Sequence, residues 1–157
     1  MSFSDILIPQ ANSWADLYVN SINVGGGTGS TGTISYATNT TVTNFSGPWA
    51  APISGSLQLS LLSSNTVTLN IPLISGTSVT AVNIVTATAI PVSYRPSTVL
   101  SFYISSQNGA TAGTYQAGLV SIATDGILSF YPDQIFSNYG TGGTASISNT
   151  AITYNIA

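Results

Sequence analysis

The chain has 157 residues, room for one ordinary domain, and a formal net charge of −3: Asp5, Asp16, Asp125 and Asp133 stand against a single cation, Arg95, with no Lys, His, Cys or Glu. Only 3% of the residues are charged, against about 25% in a typical soluble domain, so solubility must rest on Ser, Thr, Asn and Gly. This composition excludes nucleic-acid binding and basic membrane-surface binding, which draw on Lys and Arg, and it removes the usual nucleophile–base pairs and most metal ligands. The expectation is a protein that is not an enzyme, with no cofactor and no metal.

The N-terminus, "MSFSDILIPQ", has neither the basic region nor the apolar run of a secretory signal. Residues 1–24 hold Trp14 and a strand-like "LYVNSINV", which is either the first strand of the fold or an anchoring arm. The Gly-rich stretch 25–33 is a linker or long turn. Within it, "GTGSTG" (Gly27–Gly32) has the letters of a dinucleotide fingerprint, but "TISYATNTTVTNF" follows. That run is β-branched, and a working fingerprint must open a helix.

Residues 34–157 form the expected main domain. Period-two alternation predicts strands in "TISYA", "TVTNF", "SLQLSLL", "TVTLNI", "TAVNIVTAT", "LSFYIS", "AGLVSIA", "ILSFYP" and "AITYNI". The uncharged window Ser78–Val92 reads as a buried strand pair; it is too short and too interrupted, by Asn83 and Pro91, to span a membrane. Asn108-Gly109 and Asp125-Gly126 predict tight type I′ hairpins. About ten short strands separated by turn signals give an all-β class, here a jelly-roll-like two-sheet antiparallel sandwich. Its edges carry no Lys to blunt them, so burial of edges and of charge-poor surface against other subunits is expected.

Asp125 and Asp133 bracket "GILSFYP" and could pair as carboxylates or share a calcium ion. Both also follow the rule that Asp in a turn hydrogen-bonds its own backbone, and that is the reading adopted. Tyr36, Phe102, Phe130 and Tyr154 are expected in the core. Trp49 in "SGPWAAP", Tyr115 in "AGTYQAG" and Tyr139 in "SNYGTGG" lie in loop-like contexts. With Asp133 they are the candidate ligand-binding residues, subunit contact being the alternative for each ring.

The succession "AIPVSYRPSTVLSFYISSQNG…YQAGLVSIATDGILSFYPD…FSNYGTGGTASISNTAITYNI" resembles the terminal head domains of viral fibre and phage tail-tip proteins, over Ile90–Ile156. The resemblance implies a jelly-roll head assembling as a parallel homotrimer on the virion surface, as in a small virion or virophage accessory protein. Its implied partners are a host-surface glycan or a capsid protein, with no nucleic acid and no membrane insertion. No Gly-X-Y tract or heptad shaft precedes the head. A capsid decoration without receptor, or a polysaccharide depolymerase using the two Asp, are the other functions the sequence leaves open. Within "SYRP", Tyr94, Arg95 and Pro96 are expected to be structural or interfacial, Arg95 satisfying backbone carbonyls or a subunit-boundary Asp.

Overall fold

A computed structural model of the chain describes residues 38–109 and 114–156. The segments 1–24 and 25–33, and Tyr36, lie outside the described residues. Ten strands follow one another: β1 Thr38–Ser46, β2 Ile53–Leu61, β3 Thr66–Ile71, β4 Ile74–Thr77, β5 Ile84–Thr86, β6 Leu100–Gln107, β7 Tyr115–Ile122, β8 Leu128–Tyr131, β9 Thr144–Ile147 and β10 Thr150–Asn155. One 3-10 turn, Val92–Tyr94, is the sole helical element among the described residues.

All pairings are antiparallel and join the strands in the order β10-β3-β2-β1-β5-β8-β7-β6-β9-β4. The sheet is hydrogen-bonded throughout but curls over, so that its β10-β3-β2-β1 half faces its β5-to-β4 half across one core. Phe45 of β1 meets Phe130 of β8 at 5.9 Å between ring centroids, and Phe102 of β6 meets Tyr154 of β10 at 6.4 Å. The all-β, sandwich-like architecture read from alternation is the one found. The continuity comes from β5, which pairs with β1 through Phe45↔Thr86 and Ser46↔Val85 and with β8 through Ile84↔Phe130 and Val85↔Ser129.

Here the Ser78–Val92 expectation needs correction. Only Ile84–Thr86 is strand, while Val79 and Val82 are exposed. The flanking backbone groups bond outward instead: Val79 N–H and Thr80 N–H to the Pro48 carbonyl, Ala87 N–H to that of Asn44, and Ile90 N–H to that of Gly126. A crossing segment tied down on both sides of β5 in this way holds one short strand and not a pair.

Alternation decides what is buried. Leu57 and Leu59 in β2, and Val67, Leu69 and Ile71 in β3, have no exposed surface, and Ile104, Val120, Ile122, Leu128 and Phe130 close the core from the other half. The outer face of the first half is uncharged and hydroxylic. Thr68 and Thr153 share a hydroxyl hydrogen bond of 3.0 Å, Thr66 Oγ1 donates to Asn155 Oδ1 at 3.2 Å, and Ser54 Oγ donates to Asn44 Oδ1 at 2.6 Å. Cross-strand pairs of this kind stabilise a sheet by a few tenths to about 1 kcal/mol each, which is how a face almost without charges remains both ordered and wettable.

The two predicted hairpins turn out differently. Around Asp125-Gly126, Gly126 N–H bonds the Ala123 carbonyl at 2.9 Å and Ala123 N–H bonds the Ile127 carbonyl at 3.0 Å, with only Gly126 at positive φ, 88°. That is a type I turn closed by a glycine bulge rather than a type I′ turn, and Asp125 Oδ1 accepts the Ile127 N–H at 2.9 Å. Asn108-Gly109 opens a wider connection, since β6 and β7 pair only from Gln107↔Tyr115 inward.

Candidate functional site

The strand register assembles a surface that no single segment announces. On the outer side of β6, β7 and β8, Tyr103↔Leu119↔Tyr131 form one row across three strands, and Ser101↔Ser121↔Ser129 form the next row on the same face. Strands lie about 4.8 Å apart and same-face residues about 6.6 Å apart along a strand. The aromatic row is therefore roughly 10 Å long, with the hydroxyl row alongside it. Tyr103 is 69% exposed, whereas Leu119 is 7% exposed and forms the floor between the two tyrosines. Tyr115 lies on the same face nearer the start of β7 and is also exposed.

The far end of the row is built by the loop after β8. Phe136 sits edge-on to Tyr131, centroids 4.9 Å apart at an interplanar angle of 76°. Its φ is 59°, the left-handed region that a bulky side chain occupies at a cost of about 1–2 kcal/mol. Asp133 holds it there: its Oδ1 accepts the N–H groups of Ile135 and Ser137, each at 3.1 Å, and its Oδ2 accepts the Ser137 hydroxyl. Gln116 Nε2 ties the loop's base by donating to the Pro132 carbonyl at 2.6 Å. Ile135 and Phe136 are thereby presented to solvent, 81% and 54% exposed.

Burial pushes the Asp133 carboxyl up, but the hydrogen bonds from the Ser137 side chain and from the Ser137 and Ile135 backbones outweigh it and hold the group below its ordinary 3.8. A depressed carboxylate contributes stability that is present above its unfolded-state value and is lost as pH falls through the folded one. Asp133→Asn is thus expected to lower the melting temperature at neutral pH, with the gap to the parent protein closing as pH falls below the ordinary carboxylate value and through the lower folded one. A gap that stays constant across a pH series of thermal melts would remove the carboxylate from this role.

The residues singled out from sequence are distributed over this picture as follows. Tyr115 is on the aromatic face, and Asp133 carries its Phe136 loop. Trp49 and Tyr139 correct the loop-based expectation, because both are core residues. Trp49 is 8% exposed and donates its Nε1–H to the Ala145 carbonyl at 3.1 Å. Tyr139 has no exposed surface; its hydroxyl and Ser106 Oγ share a hydrogen bond of 2.8 Å. Burial raises the Tyr139 phenol far above its ordinary value; the Ser106 bond opposes this, and the nearby Asp133 charge adds to it.

Tyr94 is buried and its carbonyl accepts the Tyr154 hydroxyl at 2.7 Å. Arg95 follows, its Nε donating to the Ile90 carbonyl at 2.8 Å beside Gly126, and Pro96 leads toward β6. A shallow groove of about 490 Å³, lined by residues including Phe102, Tyr154 and Ile156, opens between the strand ends near β10 and does not touch the aromatic face.

Tyr103, Tyr131 and Phe136 escaped the sequence reading. For the two tyrosines the signal was nonetheless there: "SFYI" and "SFY" place two large rings side by side in a strand, and successive side chains in a strand point to opposite faces. One ring of each pair must face outward.

No helix among the described residues is long and apolar enough to cross a membrane. No protein-family model matches the chain, and no curated protein matches it. Among solved structures, it is similar to a reovirus attachment protein, sigma1, in complex with alpha-2,3-sialyllactose, at 15% identity and a TM-score of 0.44, over 78% of this chain and 66% of that one. The chain thus spans just under two thirds of the length of that attachment protein chain.

Proposed function

We propose that this protein is a non-enzymatic virion attachment head, working as a homotrimer, whose outer β6–β7–β8 face binds carbohydrate on a host cell or on another particle. The observation that carries the reading is the aromatic row of Tyr103 and Tyr131, extended by Phe136 and flanked by the serine row. Aromatic faces accept the apolar C–H face of a sugar ring, and neighbouring hydroxyls that both donate and accept match its hydroxyl groups. The order of motifs from Ile90 to Ile156, which resembles viral fibre heads, supports the attachment role. The charge-poor surface and the Lys-free sheet edges at β4 and β10 support self-association.

Asp125 and Asp133 belong to opposite ends of β8, each accepting backbone N–H groups of its own turn. That arrangement speaks against a depolymerase built on the pair. A second reading, a capsid decoration without receptor, is favoured by the exposure of Ile135, an apolar side chain suited to a protein contact.

Tyr103→Ala, with Tyr103→Phe as the ring-preserving control, separates the two on a glycan array run beside light scattering. Expected are a parent particle with the mass of three 16.1 kDa chains, and a loss of glycan affinity of about five- to tenfold in the Ala variant alone. A parent protein that binds no glycan, and whose trimer falls apart on Tyr103→Ala, would leave the structural reading in place.

A further inference from the structure

We infer that the Tyr103–Tyr131 platform takes a neutral saccharide and discriminates against the sialylated or sulfated form of the same sugar; the inference rests on the carbohydrate reading above. A carboxylate or sulfate leaving water for a protein surface is held most strongly by a guanidinium, an ammonium or a cradle of backbone N–H groups such as a helix N-terminus supplies; the serine hydroxyls of this face can donate to it but bring no compensating charge. This chain has one cation in 157 residues. That cation, Arg95, sits elsewhere: its Nε is bonded to the Ile90 carbonyl at 2.8 Å and lies against Gly126, in the turn that precedes β8. Tyr131 stands at the other end of β8 from that turn.

Among the described residues no helix N-terminus serves an anion either: the helical element there is the three-residue turn Val92–Tyr94, whose N-terminus follows Pro91. The charge that does stand beside the platform has the wrong sign for an anion. Asp133 opens the loop that carries Phe136, and its oxygens already accept from Ile135 and Ser137. An anionic sugar docked on Tyr131 and Phe136 would thus meet an uncompensated carboxylate within a Debye length, about 8–10 Å at ordinary salt. A neutral sugar meets the same rings, serine hydroxyls and Leu119 floor without a charge for that carboxylate to repel.

The experiment is a direct comparison on the full chain: neutral galactose-, glucose- and N-acetylglucosamine-terminated oligosaccharides against their sialylated and sulfated forms, at about 50 and about 500 mM NaCl. Expected are binding of at least one neutral probe, a loss of about threefold or more when that probe carries the anion, and little salt dependence for the neutral one. In Asp133→Asn the penalty for the anionic form should shrink. Equal or tighter binding of the anionic probe, lost in Tyr103→Ala, would overturn neutral selectivity and leave the platform standing. Glycan binding that Tyr103→Ala and Tyr103→Phe both leave unchanged, or no binding of any probe, would overturn the platform and the selectivity together.

Discussion

Trp49→Ala is expected to lower the unfolding free energy by about 3–5 kcal/mol, the range for removing a buried aromatic side chain, while the folded fraction keeps its carbohydrate affinity. The indole is sandwiched by backbone. A Cβ on Gly76 would lie 2.6 Å from Trp49 Cδ1, and one on Gly47 would lie 3.0 Å from Trp49 Cζ3, so both glycines are spaces the ring has claimed. Its Nε1–H donates to the carbonyl of Ala145 in β9, so truncation leaves a cavity and removes a buried hydrogen bond at once. Denaturant titration gives the stability, and the glycan array gives the affinity. A variant of parent stability that has lost binding would place the ring on a ligand surface instead.

Gly118→Ala should be the most damaging single methyl group near the platform. Gly118 sits in β7 opposite Ile104, and an added Cβ would lie 2.5 Å from the Tyr131 carbonyl oxygen and 2.8 Å from Ser106 Cβ. Neither neighbour yields easily. The carbonyl is backbone at the end of β8, and Ser106 is fully buried, its hydroxyl donating to the Ser146 carbonyl at 3.0 Å. Overpacking of this kind costs about 1–3 kcal/mol. Because the displaced carbonyl belongs to Tyr131, the variant should also weaken glycan binding at temperatures where it is fully folded. Parent stability and affinity together would mean that β7 and β8 can separate freely at this point.

How far the sequence was readable depended on which force wrote each element. β2 and β3 were legible because aliphatic residues dominate one face of each and the other is polar, and β6 because Leu100, Phe102 and Ile104 alternate with Ser101, Tyr103 and Ser105; β7 was legible by its largely apolar run Leu119–Ile122, although buried Leu119 breaks its alternation. The short strands β4, "ISGT", and β9, "TASI", were not foreseen. Their small residues carry no alternating signal of their own: Gly76 is in a strand because an indole lies on it, and Ala145 because β4 pairs with it.

The candidate site shows the same division. Asp133 as a turn residue was readable locally, since an Asp after a Pro and before an apolar pair favours bonds to its own backbone. The aromatic platform depends on the register that sets Tyr103 beside Leu119 and Leu119 beside Tyr131, a long-range fact of pairing. Trp49 and Tyr139 misled for the converse reason: Gly and Pro neighbours mark loops, but a loop can cross a sandwich edge and insert its ring into the core.

Arg95 and Pro96 have one further consequence, for proteolysis. A trypsin-like protease cuts after Lys or Arg, and these 157 residues offer it a single such position. There the following residue is a proline, whose ring removes the N–H and fixes φ, a geometry those active sites accept poorly. The folded chain additionally ties the Arg95 side chain to the Ile90 carbonyl. Resistance of this stretch to tryptic digestion is therefore a property of covalent structure as much as of stability, and it persists when the sandwich is unfolded.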